Sequence, residues 1–258
     1  MNLYLNENEF IRTDKPLDIS IPIHNKENPV LAWYCDPIKI EPVMNDQFVG
    51  DVNLGGSVNF RNIFINPHAH GTHTECVGHI SKEYYSINQH LKEFHFEALL
   101  ISVDPETIYN EEFKAEDQVV TPDCIRQAIR EFESQIPNAK ALVIRTTPNG
   151  DFKQSKNYSG TNPIYYSKEA IELINELHFD HLIVDLPSID REQDGGELTG
   201  HHTFWNYPSN PQLHKTITEL VYIPDAIKDG RYLCNIQITA LENDASPSKI
   251  VLYKIENH

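Results

Sequence analysis

The sequence predicts one α/β domain, residues 1–258, with a mixed central β-structure flanked by helices. Three observations carry that prediction. Strand and helix patterns alternate over residues 97–187, the pattern beyond Thr216 is strand only, and no repeat, low-complexity tract or Gly/Ser linker divides the 258 residues. The alternating stretch predicts parallel strands bridged by helices. The late run makes the whole a mixed structure and not a regular doubly wound sheet.

Taken in order, residues 17–43 are Pro-rich and extended, with Trp33 and Tyr34 ahead of Asp36-Pro37. Residues 58–65 (VNFRNIFI) have strand composition and reach a turn at Asn66-Pro67. Residues 97–103 (EALLISV) read as a buried strand. Thr121-Pro122-Asp123 starts a helix: a capping hydroxyl, a proline in the first turn and an acid at the positive end. That helix runs to about Ser134, with Ile125, Ala128, Ile129 and Phe132 on one face. Residues 141–147 (ALVIRTT) form a buried strand, followed by a polar loop at 148–164. Ser167 caps a second helix whose apolar stripe is Ala170, Ile171, Ile174 and Leu177. HLIVDLP at 181–187 is another buried strand, and TELVYI, RYLCNIQITAL and KIVLYKI complete the set.

Composition narrows the function. Hydrophobic residues make up 40% and charged residues 23%, ordinary values for a chain that buries a core. The formal charge of −17 repels anionic duplexes and membrane surfaces, so neither nucleic acid nor membrane is an expected partner. No stretch approaches the roughly 18 apolar residues of a span. The opening MNLYLNENEFIRTDK lacks the basic-then-apolar pattern of an export signal. Cys35, Cys76, Cys124 and Cys234 are far apart in sequence with no CxxC pair, as expected of reduced cysteines in a cytoplasmic protein.

Residues 68–79, HAHGTHTECVGH, hold four histidines and a glutamate, where the chain's composition alone gives about 0.6 histidines in such a window. Imidazole and carboxylate are the ligands zinc and related divalent metals prefer. In a strand, His73 and Glu75 share a face, with His79 on the same parity. His68 and His70 share a face before the Gly71-Thr72 bend, which can bring either one round to an ion held by His73 and Glu75. His68 is preferred because it begins the turn. His79, Glu219 and His201 are candidates for moving protons beside a metal that acidifies water.

The run H-G-T-H-T-E-C-V-G-H resembles the H-x-G-T-H-x-D-x-P-x-H signature of the cyclase family of metal-dependent hydrolases, which includes bacterial kynurenine formamidase and isatin hydrolase. DISIPI…LAWYCDP, ALVIRT, LIVDLPSID, the glutamate of ITELVYI and IQITALENDASPSKIVLYKI resemble further family stretches in the same order. The resemblance implies a central β-structure flanked by helices, one or two divalent ions (zinc or manganese), a homodimer or larger homo-oligomer, and a small-molecule substrate. It implies hydrolysis of a C–N amide bond in an arylformamide or lactam, as when N-formylkynurenine yields kynurenine and formate in tryptophan catabolism. Carried over by position, His73, Glu75, His79 and Glu219 are metal ligands, with His79 and Glu219 also available for proton transfer. The late histidine falls at His201 or His202, with His201 preferred because Gly-His before a hydrophobic stretch fits the pattern.

The chain departs from the signature at Ala69, which stands where the first histidine belongs, between His68 and His70, and at Glu75, which replaces aspartate. NYPSNPQLH lengthens the path from His201 to Glu219.

Other residues have plainer readings. Asp185 ends a strand and bonds nearby amides as readily as it serves a site. Asp190, Arg191 and Asp194 read as a solvated turn. Cys76 points into the core more readily than it acts as a nucleophile. Trp33, Phe204 and Trp205 are candidates to line an apolar substrate pocket, Tyr34 with them. His24, His90, His95, His178, His181, His214 and His258 are assigned to surface or core. Two competing readings remain: a non-catalytic member of the same fold that binds a metal or metabolite, suggested by Ala69, and a purely structural domain.

Overall fold

Among residues 1–257, which the computed structural model describes, seven strands form a sheet that closes on itself. They are β1 (His73–Glu75), β2 (His95–Val103), β3 (Ala141–Thr146), β4 (His181–Val184), β5 (Thr216–Glu219), β6 (Gly230–Ile238) and β7 (Ala245–Asn257). Their order around the barrel is β1-β5-β4-β3-β2-β6-β7, with β7 returning to β1. β2 to β5 run parallel, and every other pairing is antiparallel. The mixed central β-structure predicted above is therefore present, with the parallel half drawn from the alternating part of the sequence. His258 lies outside the described residues.

Three helices cover one side: α1 (Pro122–Ile129), α2 (Lys168–Glu176) and α3 (Thr199–Trp205). Thr121 accepts the Cys124 N–H and Ser167 the Ala170 N–H, so both expected caps form. α1 is shorter than expected. It gives way at Arg130 to 3-10 turns that reach Asn138, keeping Phe132 and Ile136 against the core, and Pro137 sits in the last turn.

The parallel strands are apolar on both faces because each face packs a different layer. Leu99, Ile101, Leu142, Ile144, Leu182 and Val184 meet α1, α2 and α3. The alternate residues Ala98, Leu100, Val143 and Ile183 face Cys234, Ile236, Ile250 and Leu252 inside the barrel. This alternation fixes the face on which the histidine cluster lies. Glu75 stands opposite Ile217, and His73 opposite Glu219, in the antiparallel β1–β5 register. Ile217 belongs to the helix-facing layer, so these three polar side chains share that face.

Residues 58–65 contain a strand only at Arg61–Phe64. It pairs with Lys39–Pro42 in a two-stranded arm outside the barrel, with all four of its residues exposed. The arm takes no part in the sheet, although its composition suits one, because the barrel is already closed without it.

Candidate metal centre

The site lies where β1, β5, α3 and the β6–β7 hairpin meet. His73, Glu75, Glu219 and His201 are buried; the side chains of His68, His79 and Asp244 keep 18%, 28% and 26% of their surface and form the open rim. Two groups of ligand atoms converge within 4.8 Å: His68, Glu75 and His79, and His73, Glu75 and Glu219. Glu75 belongs to both.

Each inner histidine is oriented by a bond on its far side. The His73 Nδ1–H donates to the Gly71 carbonyl (3.1 Å), which leaves Nε2 facing Glu219 Oε2 at 3.4 Å. Asp190 accepts the His201 Nδ1–H (2.6 Å), so Nε2 faces Glu75 Oε1 at 3.1 Å and Glu219 Oε1 at 3.8 Å. Such outer partners set tautomer and ring direction in metal sites. Glu219 is itself held by the Ile189 N–H (3.1 Å).

Two buried atoms in this cluster, His73 Nε2 and Glu75 Oε2, have no hydrogen-bond partner. Glu75 Oε2 lies 3.1 Å from His68 Nδ1, without the direction of a hydrogen bond, and 3.8 Å from His79 Nδ1, beyond hydrogen-bond range. Leaving a buried polar atom unsatisfied costs about 1–3 kcal/mol. An imidazole lone pair and a carboxylate oxygen are both donors to a cation, so a divalent metal fits this set.

Burial disfavours charge on Glu75, yet His79, His201 and His68 hold its carboxyl well below the usual carboxylate range. Burial also works against protonating His68, but Asp244 and Glu75 overcome it and push its pKa up to about 10. His201, likewise buried, is raised by Asp190 and Glu75. The pocket is thus organised around anionic charge that calls for compensating cations.

The structure separates the alternatives left by sequence. His68 reaches the cluster. His70 does not: its Nδ1 accepts the Asn66 N–H (3.0 Å) and its Nε2–H donates to the Asp36 carbonyl (2.9 Å). His201 is inside; His202 is turned away, bonded to the Tyr207 carbonyl (3.1 Å). Phe204 and Trp205, expected to face substrate, are fully buried. The Trp205 indole donates to the Lys215 carbonyl (3.0 Å), and its ring backs His201 at 5.5 Å, so it is a wall behind a ligand. Trp33 donates its indole N–H to the His68 carbonyl (3.2 Å) and stays half-buried beside the rim.

Asp190 is no solvated turn. It is 8% exposed and also accepts the Gly200 and His201 N–H groups at the start of α3. A Cβ at Gly200 would lie 2.8 Å from Asp190 Oδ1, so this approach requires glycine. Asp244 was not among the sequence candidates; its Oδ2 lies 2.9 Å from His68 Nε2 and 3.3 Å from His79 Nδ1. Cys76 is buried, which pushes its thiol up to about 12, and its Sγ bonds the Tyr85 carbonyl (3.6 Å). A thiolate nucleophile is therefore disfavoured. Asp185 accepts from Thr146 and from the buried Lys153 (2.7 Å), a structural tie.

Barrel, helix layer and convergent histidine–carboxylate cluster together define an α/β protein with a candidate metal centre at one edge of a closed mixed sheet. The Cyclase family profile matches residues 17–191, and the chain belongs to that family. Solved structures agree on the fold. Isatin hydrolase A from Labrenzia aggregata, bound to benzyl benzoate, has a TM-score of 0.64 at 16% identity, covering 93% of each chain. Isatin hydrolase A from Ralstonia solanacearum scores 0.61 at 15% identity, covering 93% of this chain and 91% of its own. A predicted metal-dependent hydrolase from Bacillus stearothermophilus scores 0.59 at 18% identity, covering 93% and 98%. Comparison with curated proteins gives no match.

Proposed function

We propose that the chain is a metal-dependent hydrolase that cleaves a C–N amide bond in an arylformamide or lactam. The observation that carries this reading is the pair of partnerless buried atoms, His73 Nε2 and Glu75 Oε2, inside a converging set of imidazoles and carboxylates. His73, Glu75 and Glu219 would hold one zinc or manganese ion, and His68, Glu75 and His79 a second, with His201 beside Glu75. A divalent cation bound there supplies Lewis acidity that acidifies water and polarises the carbonyl to be cleaved.

The chain's own groups do the rest. Asp190 and the Gly71 carbonyl fix the rings of His201 and His73, so the pocket needs little rearrangement when charge develops. His79 stands at the rim, within reach of both solvent and the inner carboxylates, and suits delivery of a proton to the departing nitrogen. Glu219, held in place by the Ile189 N–H, suits accepting a proton from water. Trp33, whose indole bonds the His68 carbonyl, flanks the rim and suits an aromatic substrate. Hydrolysis of a panel containing isatin, N-formylkynurenine and simple formanilides tests the reading; activity that vanishes in metal-free protein and in His73→Ala supports it, and activity that survives both refutes it.

Ala69 favours a second reading, a binding protein that keeps the metal without turnover. Metal uptake with no hydrolysis across that panel selects it.

We further propose self-association through the 38–64 arm, where Met44, Val52, Leu54, Phe60, Ile63 and Phe64 are all more than half exposed. All four cysteines are free, which supports a reducing compartment, the cytoplasm. No helix among the described residues is long and apolar enough to cross a membrane.

A further inference from the structure

The signature histidine that should precede His73 by four residues is absent, and its replacement stands against Glu75, the glutamate found in place of the signature aspartate. His68 presents Nδ1 to Glu75 Oε2 at 3.1 Å and Nε2 to Asp244 Oδ2 at 2.9 Å. The other flanking histidine, His70, has both ring nitrogens engaged elsewhere. Asp244 arrives from the β6–β7 hairpin and is fixed by its backbone. Its carbonyl accepts the Cys76 N–H (3.0 Å), and the next residue, Ala245, stands opposite Glu75 in the β7–β1 register. Room for this approach comes from Gly78, where a Cβ would lie 3.2 Å from the Asp244 Cβ and 2.2 Å from the Tyr85 carbonyl oxygen.

An imidazole has two nitrogens, and the one whose N–H donates to a neighbouring acceptor is not the one offered to a metal. We propose that Asp244 is the positioning residue that installs His68 as the metal ligand replacing the histidine missing at Ala69. It accepts the Nε2–H and thereby turns Nδ1 toward Glu75, where that nitrogen can give up its proton in favour of a metal. Gly78 is the condition for it, since the carboxylate reaches His68 over a position that has no side chain. This inference rests on the metal-site reading above and adds a positioning device to it.

The experiment is a zinc titration of metal-free protein against a chromophoric chelator, using wild type, Asp244→Ala, Asp244→Asn, His68→Ala and the Asp244→Ala/His68→Ala double variant. Loss of an outer partner typically weakens metal affinity by about 10–100-fold. Asp244→Ala is expected in that range. Asp244→Asn, whose amide oxygen still accepts the Nε2 proton, recovers part of the loss. In the double variant the two losses fall well short of multiplying, because Asp244 acts mainly through that ring, its other contact being His79 Nδ1 at 3.3 Å. Unchanged affinity in Asp244→Ala, or losses that multiply in the double variant, overturns the inference while leaving the metal site standing. Wild-type protein that takes up no zinc overturns the proposed function itself.

Discussion

His73 and Glu219 face one another across the β1–β5 ladder with Nε2 and Oε2 3.4 Å apart and no hydrogen bond between them. The Gly71 carbonyl holds the His73 proton on the other nitrogen, so two electron-pair donors are set against each other in a buried place. Such an arrangement is stable with a cation between the donors and costly without one. The sheet register produces it: residues directly opposite in an antiparallel pair share a face, and β1 carries its histidine where β5 carries its glutamate.

His73→Ala removes one of these donors without changing the ladder. It is expected to lower turnover by more than about 100-fold, beyond the loss typical of an outer partner. Steady-state assay on the substrate found active in wild type checks this. Zinc at about 100 times its Kd should stabilise wild type by about 2.7 kcal/mol and His73→Ala by much less, read as a shift in the thermal midpoint.

Asp190→Ala acts at two places. His201 loses the acceptor that fixes its tautomer, and α3 loses the acceptor for two of its first N–H groups. Metal affinity is expected to fall about 10–100-fold, and stability by about 1 kcal/mol from the lost cap. Chelator competition and denaturant titration of the metal-free protein separate the two effects.

Gly78→Ala places a Cβ 2.2 Å from the Tyr85 carbonyl oxygen, a backbone atom that cannot rotate away. A loss of about 1–3 kcal/mol is expected from the forced shift, measured by denaturant unfolding. The neighbouring Asp244 moves with it, so zinc affinity should fall as well.

His181 governs part of the acid response. It is buried at the start of β4, stacked on Phe96 at 4.1 Å with its Nδ1 2.8 Å from the Thr216 hydroxyl oxygen. Burial pushes its pKa down to about 4. The unfolded chain takes up this proton near 6.5 and the folded chain does not until about 4, so the unfolded state binds more protons between those values. Stability from this group is complete above about 6.5. It is lost as pH falls through the window, by about 3 kcal/mol at the lower end. His181→Gln should flatten that part of the stability–pH curve; an unchanged slope between pH 6.5 and 4 would contradict the assignment.

How much of this the sequence discloses depends on whether a feature is local. The caps at Thr121 and Ser167, the apolar strands and the shared face of His73 and Glu75 follow from spacing within a few residues, and they are legible. The choice of His201 over His202 follows from resemblance, and the structure puts His201 beside Glu75. Asp190 reads as a surface acid because its neighbours are polar; only the folded chain shows the start of α3 closing over it. Asp244 lies 165 residues from His79 along the chain and reaches it because β7 closes the barrel onto β1, a pairing no local pattern announces. Phe204 and Trp205 look like pocket aromatics by composition, but α3 turns both into the core, where their size is better used.

The most direct test of the metal centre is an anomalous-scattering measurement on crystals grown with zinc or manganese. The account predicts a strong peak at a coordination distance of about 2.0–2.2 Å from His73 Nε2 and from carboxylate oxygens of Glu75 and Glu219. Density free of any anomalous peak there, with His73 Nε2 and Glu219 bonded to each other or to water, would contradict it.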